Sequence, residues 1–308
     1  MLWNRRVFSL PLADRTAKLV QSRRRHGRYT LSVDGIAQSV VSMTEPTALE
    51  YGYTQHIARA MDAAAEPGAP LFTVHLGAGA LTLARYVEAT RAGSPQLVVE
   101  FEPALYDAVV AALPLPSGSD VRVIFGDART VADAALPSEE SSPALSGPAP
   151  DSAARETAPT AVPTDWVNAA FTVVDLWDAA IIRHRVASQE FYRRVAARSA
   201  GAGVVAVNLL DGHPFEYARR QAATLRSVFA HVAVVLAADP SDEDGPLGNV
   251  VIFASDQPLD AVTTPGAFGP APPHILHEAP LTSWIGAARI MTDADGTDSP
   301  HPDDPLWG

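Results

Sequence analysis

Phe72-Thr-Val-His-Leu-Gly77-Ala-Gly79-Ala-Leu-Thr-Leu-Ala84, followed by Leu97-Val-Val-Glu100-Phe-Glu-Pro103, is the stretch that decides the fold. An apolar run of strand type enters a turn with two glycines, where the backbone can pass close to a ligand, and an amphipathic helix follows. A second apolar run then closes on Glu100. A carboxylate at a strand end, about twenty residues beyond the glycines, is placed to accept both hydroxyls of a ribose. Gly126-Asp127-Ala128, after Val121-Arg-Val-Ile-Phe125, supplies a third strand end of the same kind.

Working outward, apolar strands alternate with helical patterns at Leu71 to Leu76, Gln96 to Phe101, Val121 to Phe125, Phe171 to Asp175, Gly203 to Asn208 and His231 to Leu236. This alternation predicts an α/β fold with a doubly wound, mostly parallel sheet covered on both faces. Gly248 to Ser255 adds a last strand, antiparallel in one arrangement. Upstream, Arg28 to Val41 alternates around Asp34-Gly35 as a small β-hairpin. A helix carrying Leu49, Tyr53, His56, Ile57, Ala60 and Met61 follows. Three regions result: 1–66, a basic arm, hairpin and helix; 67–262, a Rossmann-like unit; and 263–308, a C-terminal extension. Residues 137–164, rich in Pro, Ala and Ser, and the Asp- and Pro-rich tail beyond Met291 have too little apolar content to offset ordering, and both read as disordered.

The chain has 308 residues, 47% of them hydrophobic, and a formal net charge of −12, which argues against a nucleic-acid surface as its main function. The first thirty residues run the other way. Arg5, Arg6, Arg15, Lys18, Arg23, Arg24, Arg25 and Arg28 face only Asp14, and read as a solvated arm or a contact for an anionic partner. The absence of cysteine excludes disulfide and thiolate chemistry and fits a reducing cytoplasm. No apolar run reaches membrane-spanning length, and the apolar part of the start is short for a secretory signal. The histidines show no metal-ligand spacing, so no metal is expected.

In an open parallel sheet, ligands bind beyond the carboxyl ends of the strands, where Gly77, Gly79, Glu100, Asp127 and Asp175 emerge. Asp127 either accepts from an adenine amino group or caps the helix beginning at Ala128. Asp175-Leu-Trp-Asp178 brings two carboxylates to the same edge, a pair suited to a cation, unless one caps a helix and the other is solvated. With a sulfonium nucleoside and an amine as substrates, Asp175 would take the proton of the attacking amine. Asp178 would then orient that amine or hold a second ammonium, with Trp177 covering it by cation–π contact. His75, inside a strand, reads as a core histidine, and Glu102 as a first-turn acid without chemistry.

In these motifs and their order the chain resembles the spermidine synthase family, the polyamine aminopropyltransferases, which share the fold of nucleoside-dependent methyltransferases. The carriers are Leu31-Ser-Val-Asp34-Gly35-Ile-Ala-Gln38, Leu49-Glu50-Tyr51-Gly52-Tyr53, Gly77-Ala-Gly79, Val99-Glu100, Gly126-Asp127-Ala128, Val174-Asp175-Leu-Trp-Asp178 and Ser188-Gln-Glu-Phe191-Tyr192. The resemblance implies Glu100 on the ribose, Asp127 and Ala128 at the adenine, Asp175 as catalytic acid/base, and Asp178 with Tyr53 at the amine. It also implies decarboxylated S-adenosylmethionine or S-adenosylmethionine as co-substrate, a small amine as second substrate, a place in polyamine biosynthesis and a homodimer through the N-terminal region. The departures fall on the amine half. Ala80 replaces the acid that holds the aminopropyl ammonium, Thr54 stands where bacterial members place His or Gln, and Asp178-Ala-Ala-Ile-Ile182 replaces an Asp-Pro-x-Gly-Pro gate. Aminopropyl transfer to an amine with release of methylthioadenosine is therefore expected. Methyl transfer from S-adenosylmethionine, and an inactive nucleoside-binding or interaction module, are the alternatives.

Overall fold

The computed structural model describes residues 6–12, 15–134, 136, 165–178, 180–237, 239–264, 266–268 and 273–302. The insertion expected at 137–164 and the last six residues lie outside them. The chain opens with β1 (Val7–Pro11), β2 (Thr16–Gln21), β3 (Arg28–Val33) and β4 (Ile36–Ser42), a four-stranded antiparallel sheet in the order β1-β2-β3-β4. The hairpin between β3 and β4 turns at Asp34 and Gly35, both at positive φ, as a tight turn requires. The segment read as a solvated arm is thus two strands. In β2, Ala17 and Leu19 point inward while Thr16 and Lys18 point outward. The arginines that flank β2 obscured that alternation.

After α1 (Gly52–Ala63) come β5 (Thr73–Leu76), α2 (Thr82–Thr90), β6 (Gln96–Glu100), α3 (Pro103–Ala112), β7 (Val121–Phe125), α4 (Ala128–Asp133) and β8 (Ala169–Val174). The rest follows as α5 (Gln189–Ala196), β9 (Ser199–Asp211), α6 (Glu216–Arg226), β10 (His231–Leu236), β11 (Gly248–Ser255), α7 (Asp260–Thr263), β12 (His274–His277) and α8 (Glu278–Ile285). The second sheet has eight strands in the order β12-β10-β11-β9-β8-β5-β6-β7. Strands β9-β8-β5-β6-β7 are parallel, as the sequence pattern predicts, and β11 and β12 run antiparallel to their neighbours. From β5 the chain winds to β6 and β7, then returns to place β8 on the other side of β5. That reversal is the topological switch point, where open α/β sheets leave a crevice for ligands.

Both faces of the central strands of this sheet are buried. Val74, Leu76 and Val174 face a core shared with α5, α6 and α8, whereas Phe171, Val173 and Phe253 face one shared with α1 and α7. The C-terminal extension belongs to this body, since β12 pairs with β10 and α8 buries Leu281, Trp284 and Ile285. A third cluster joins the N-terminal sheet to α3 and to Ala80 of the glycine turn, through Leu10, Leu19, Leu31 and Val41.

The tail from Met291 to Pro302, expected to be disordered, is tied to the body. Asp293 accepts two hydrogen bonds from Arg129, at 2.6 and 2.7 Å, and one from Ser188 at 2.6 Å. Ser299 donates its N–H to the Ile182 carbonyl at 2.9 Å and accepts the Ile182 N–H on Oγ at 2.8 Å. Its Asp, Ser and Thr side chains find polar partners rather than apolar ones, a source of order that composition does not register. No described helix is long and apolar enough to cross a membrane.

Candidate functional site

A cavity of about 310 Å³ opens at the switch point, at the low end of the roughly 300–1,000 Å³ usual for small-molecule sites. Its floor is the glycine turn between β5 and α2. Gly77 has φ +92°, and a Cβ there would overlap the Asp175 carbonyl oxygen, so only glycine lets β5 and β8 end side by side. Gly79 has φ +49°, and a Cβ on it would come within 2.6 Å of Ser39 Oγ, so this second glycine admits the N-terminal sheet. Ser39 accepts the Ala80 N–H at 3.3 Å, and Thr82 donates to the Val40 carbonyl at 3.3 Å.

Glu100 lies in the cavity wall at the end of β6. It accepts the Ala78 N–H on one oxygen and the Glu102 N–H on the other, both at 2.8 Å, leaving lone pairs on each oxygen for further donors. Burial raises its pKa, and these backbone N–H groups oppose the shift. Phe101, next in the chain, is 65% exposed and offers an aromatic face at the cavity edge.

Asp175 follows β8 on the opposite side of the glycine turn. Its Oδ1 accepts from Trp177 Nε1 at 2.7 Å and Asn208 Nδ2 at 2.8 Å, and its Oδ2 from the Tyr53 hydroxyl at 3.4 Å. Burial pushes its pKa above the ordinary carboxylate value, and the three donors pull it back. Burial, then the Asp175 charge, raises Tyr53 well above its own ordinary value, so the phenol stays protonated and donates. Asn208 is fixed in turn, because its Oδ1 accepts from Asn249 Nδ2 at 3.1 Å.

The result is a largely desolvated carboxylate in the cavity wall, oriented by three donors. Such a group takes a proton more readily than a solvated one. A base must be ionised, so activity carried by Asp175 falls as pH drops through its pKa. In Asn208→Leu, with one opposing hydrogen bond removed, the acid limb of the pH–rate profile is expected to move to higher pH. An unmoved limb in that variant would show that Asp175 does not set it.

Of the residues predicted for the site, Gly77, Gly79, Glu100, Asp175, Tyr53, Trp177 and Asp178 all line this cavity. Asp127 and Ala128 do not. Of the two roles open for Asp127 the cap is the one observed: its Oδ1 accepts the Thr130 N–H at 2.9 Å and pairs with Arg185 at 3.2 Å. Trp177 spends its indole N–H on Asp175. His75 is a core histidine bonded to Gln96 at 3.0 Å, and burial lowers its pKa to about 4.

Asp178 is already matched by cations. Arg183 reaches its Oδ2 through Nε at 3.0 Å and Nη2 at 2.9 Å, and Arg15 approaches its Oδ1 to 3.8 Å. Asn208, Arg15 and Arg183 were not singled out from the sequence as parts of the site. Only Asn208 carried a signal there, a polar residue closing an apolar strand. Ala80 is fully buried beneath the N-terminal sheet and does not line the cavity. Among the described residues no group of His, Asp and Glu could hold a metal ion.

No protein-family model and no curated protein matches this sequence. Solved structures do match. A probable spermidine synthase from Corynebacterium glutamicum ATCC 13032 aligns over 93% of this chain and 96% of its own, with TM-score 0.74 and 23% identity. This chain has the spermidine synthase fold. The spermidine synthase from Thermotoga maritima aligns over 82% of this chain and 73% of its own, with TM-score 0.50 and 13% identity. A spermidine synthase in complex with the transition state analogue AdoDATO aligns over 82% of this chain and 74% of its own, with TM-score 0.51 and 14% identity. The spermidine synthase fold accounts for the small antiparallel sheet ahead of the doubly wound unit as well as for that unit itself.

Proposed function

We propose that this chain binds a sulfonium nucleoside of the S-adenosylmethionine type and transfers one of its carbon substituents to a nucleophile held before Asp175. The observation that carries the proposal is that Glu100 and Asp175 face one cavity from opposite sides of the Gly77 turn. Glu100 receives the ribose hydroxyls, and adenine lies over Phe101 at the cavity edge. The sulfonium then sits at the glycine turn, and Asp175 takes the proton released as the nucleophile attacks the carbon next to sulfur. Because a positive sulfur is a good leaving group, most of the rate comes from holding the reactants in line. A spermidine synthase of this fold takes the analogue AdoDATO, which supports a related ligand here.

Aminopropyl transfer to an amine is the first reading, in a cytosolic enzyme. Methyl transfer is the second, favoured by one observation: the acid that would hold an aminopropyl ammonium is replaced by Ala80, buried away from the cavity. Product analysis separates them, with methylthioadenosine from decarboxylated S-adenosylmethionine in the first case and adenosylhomocysteine from S-adenosylmethionine in the second. Calorimetric titration with both product nucleosides tests the shared part. Glu100→Gln replaces a charged acceptor by a neutral one and is expected to weaken both by about 1.5–3 kcal/mol. Unchanged affinity in that variant would remove the ribose from Glu100.

A further inference from the structure

The acceptor end of the cavity differs in charge from a diamine site. Asp178 is the carboxylate a second ammonium would need, and Arg183 already spans from it to the C-terminal tail, with Nη1 on Asp298 Oδ2 at 3.0 Å. Asp298 is itself held, accepting the His184 N–H at 2.8 Å and lying 3.1 Å from His184 Nδ1. The two Ser299–Ile182 hydrogen bonds fix the loop between these residues. Arg15, anchored 3.4 Å from Glu102, faces Asp178 from the other side. Arg15 and Arg183 between them pair Glu102, Asp178 and Asp298, so each of these three carboxylates already has a guanidinium beside it. An entering ammonium meets two like charges beside a carboxylate that is already matched, a juxtaposition that selects against it. The wall that the N-terminal sheet adds carries an apolar patch, Leu12, Leu31, Val33 and Ile36, beside the polar Arg15, Asp34, Gln38 and Ser39.

We propose that the acceptor is a primary amine with an apolar body and no second cation, and that Arg183, seated by Asp298, sets this preference. The inference rests on the nucleoside transfer described above and names its second substrate. In the step, the amine nitrogen lone pair forms a bond to the carbon attached to sulfur. The carbon–sulfur bond breaks with its electron pair remaining on sulfur, which becomes a neutral thioether, and the amine proton passes to Asp175 and on to solvent.

The test compares butylamine with putrescine, of equal carbon chain, using each of the two sulfonium donors and following nucleoside product. In the unmodified protein kcat/KM is expected to favour butylamine by about tenfold or more. In Arg183→Ala the ratio is expected to fall toward or past parity because putrescine improves, and Asp298→Asn, which loosens Arg183, should move it the same way. A gain with putrescine cannot come from a misfolded variant. Putrescine matching or exceeding butylamine in the unmodified protein overturns the proposal. A ratio unmoved in both variants removes Arg183 from it. Nucleoside binding without turnover of either amine overturns the acceptor assignment alone, whereas failure to bind either product nucleoside overturns the transfer reading beneath it.

Discussion

Asp175→Asn is expected to lower turnover by about 10²–10⁴-fold, the range in which a positioned general acid or base contributes. The substitution keeps the shape, and its amide oxygen can still accept from Trp177 and Asn208, while its amide N–H group can donate to the Tyr53 oxygen in place of the bond Tyr53 donated. What it removes is the ability to take a proton. Nucleoside affinity, which the proposal gives to Glu100 across the cavity, should remain nearly unchanged. Calorimetric titration paired with single-turnover product formation separates the two properties. Normal turnover in the variant would end the role given to Asp175. A parallel loss of binding would mean that the asparagine disturbs the cavity rather than the proton transfer.

Gly77→Ala is expected to be costly in a different way. At φ +92° an L side chain is strained by roughly 1–3 kcal/mol, and the added Cβ falls on the Asp175 carbonyl oxygen. Relief requires β5 and β8 to part at their ends, where Asp175 N–H donates to the Leu76 carbonyl at 3.0 Å. The variant should therefore lose stability to urea and also lose activity, because the same shift moves Asp175. Gly68 provides the control. It too has positive φ, at +77°, but its Cβ would meet nothing within 4 Å, so Gly68→Ala should show the conformational cost alone and keep full activity. Equal effects at the two positions would mean that contact with Asp175 is unimportant.

The parallel strands were legible because each is a short apolar run ended by glycine or acid, a pattern that survives in one dimension. Gly77, Glu100 and Asp175 were legible for the same reason, as strand-end residues whose proximity follows from parallel pairing. The strands β1 and β2 were not, since arginines surround their buried Leu10, Ala17 and Leu19. Nor was β12, four residues long and without alternation. The matching of Asp178 by Arg15 and Arg183 depends on contacts between the N-terminal sheet, the loop after β8 and the tail, segments separated by more than a hundred residues. No local spacing encodes such a meeting. Asn208 could be read as a strand end but not as the partner of Asp175, because that depends on the β8–β9 register.

One consequence follows from where the two acids hang. Glu100 and Asp175 belong to strand ends that flank β5 rung for rung, with Leu76 paired to both Val99 and Val174. The spacing of the Glu100 and Asp175 carboxylates is therefore a property of the backbone lattice rather than of any loop. Lesions in the outer helices can thin the population of intact molecules, yet those that stay folded should keep the same gauge.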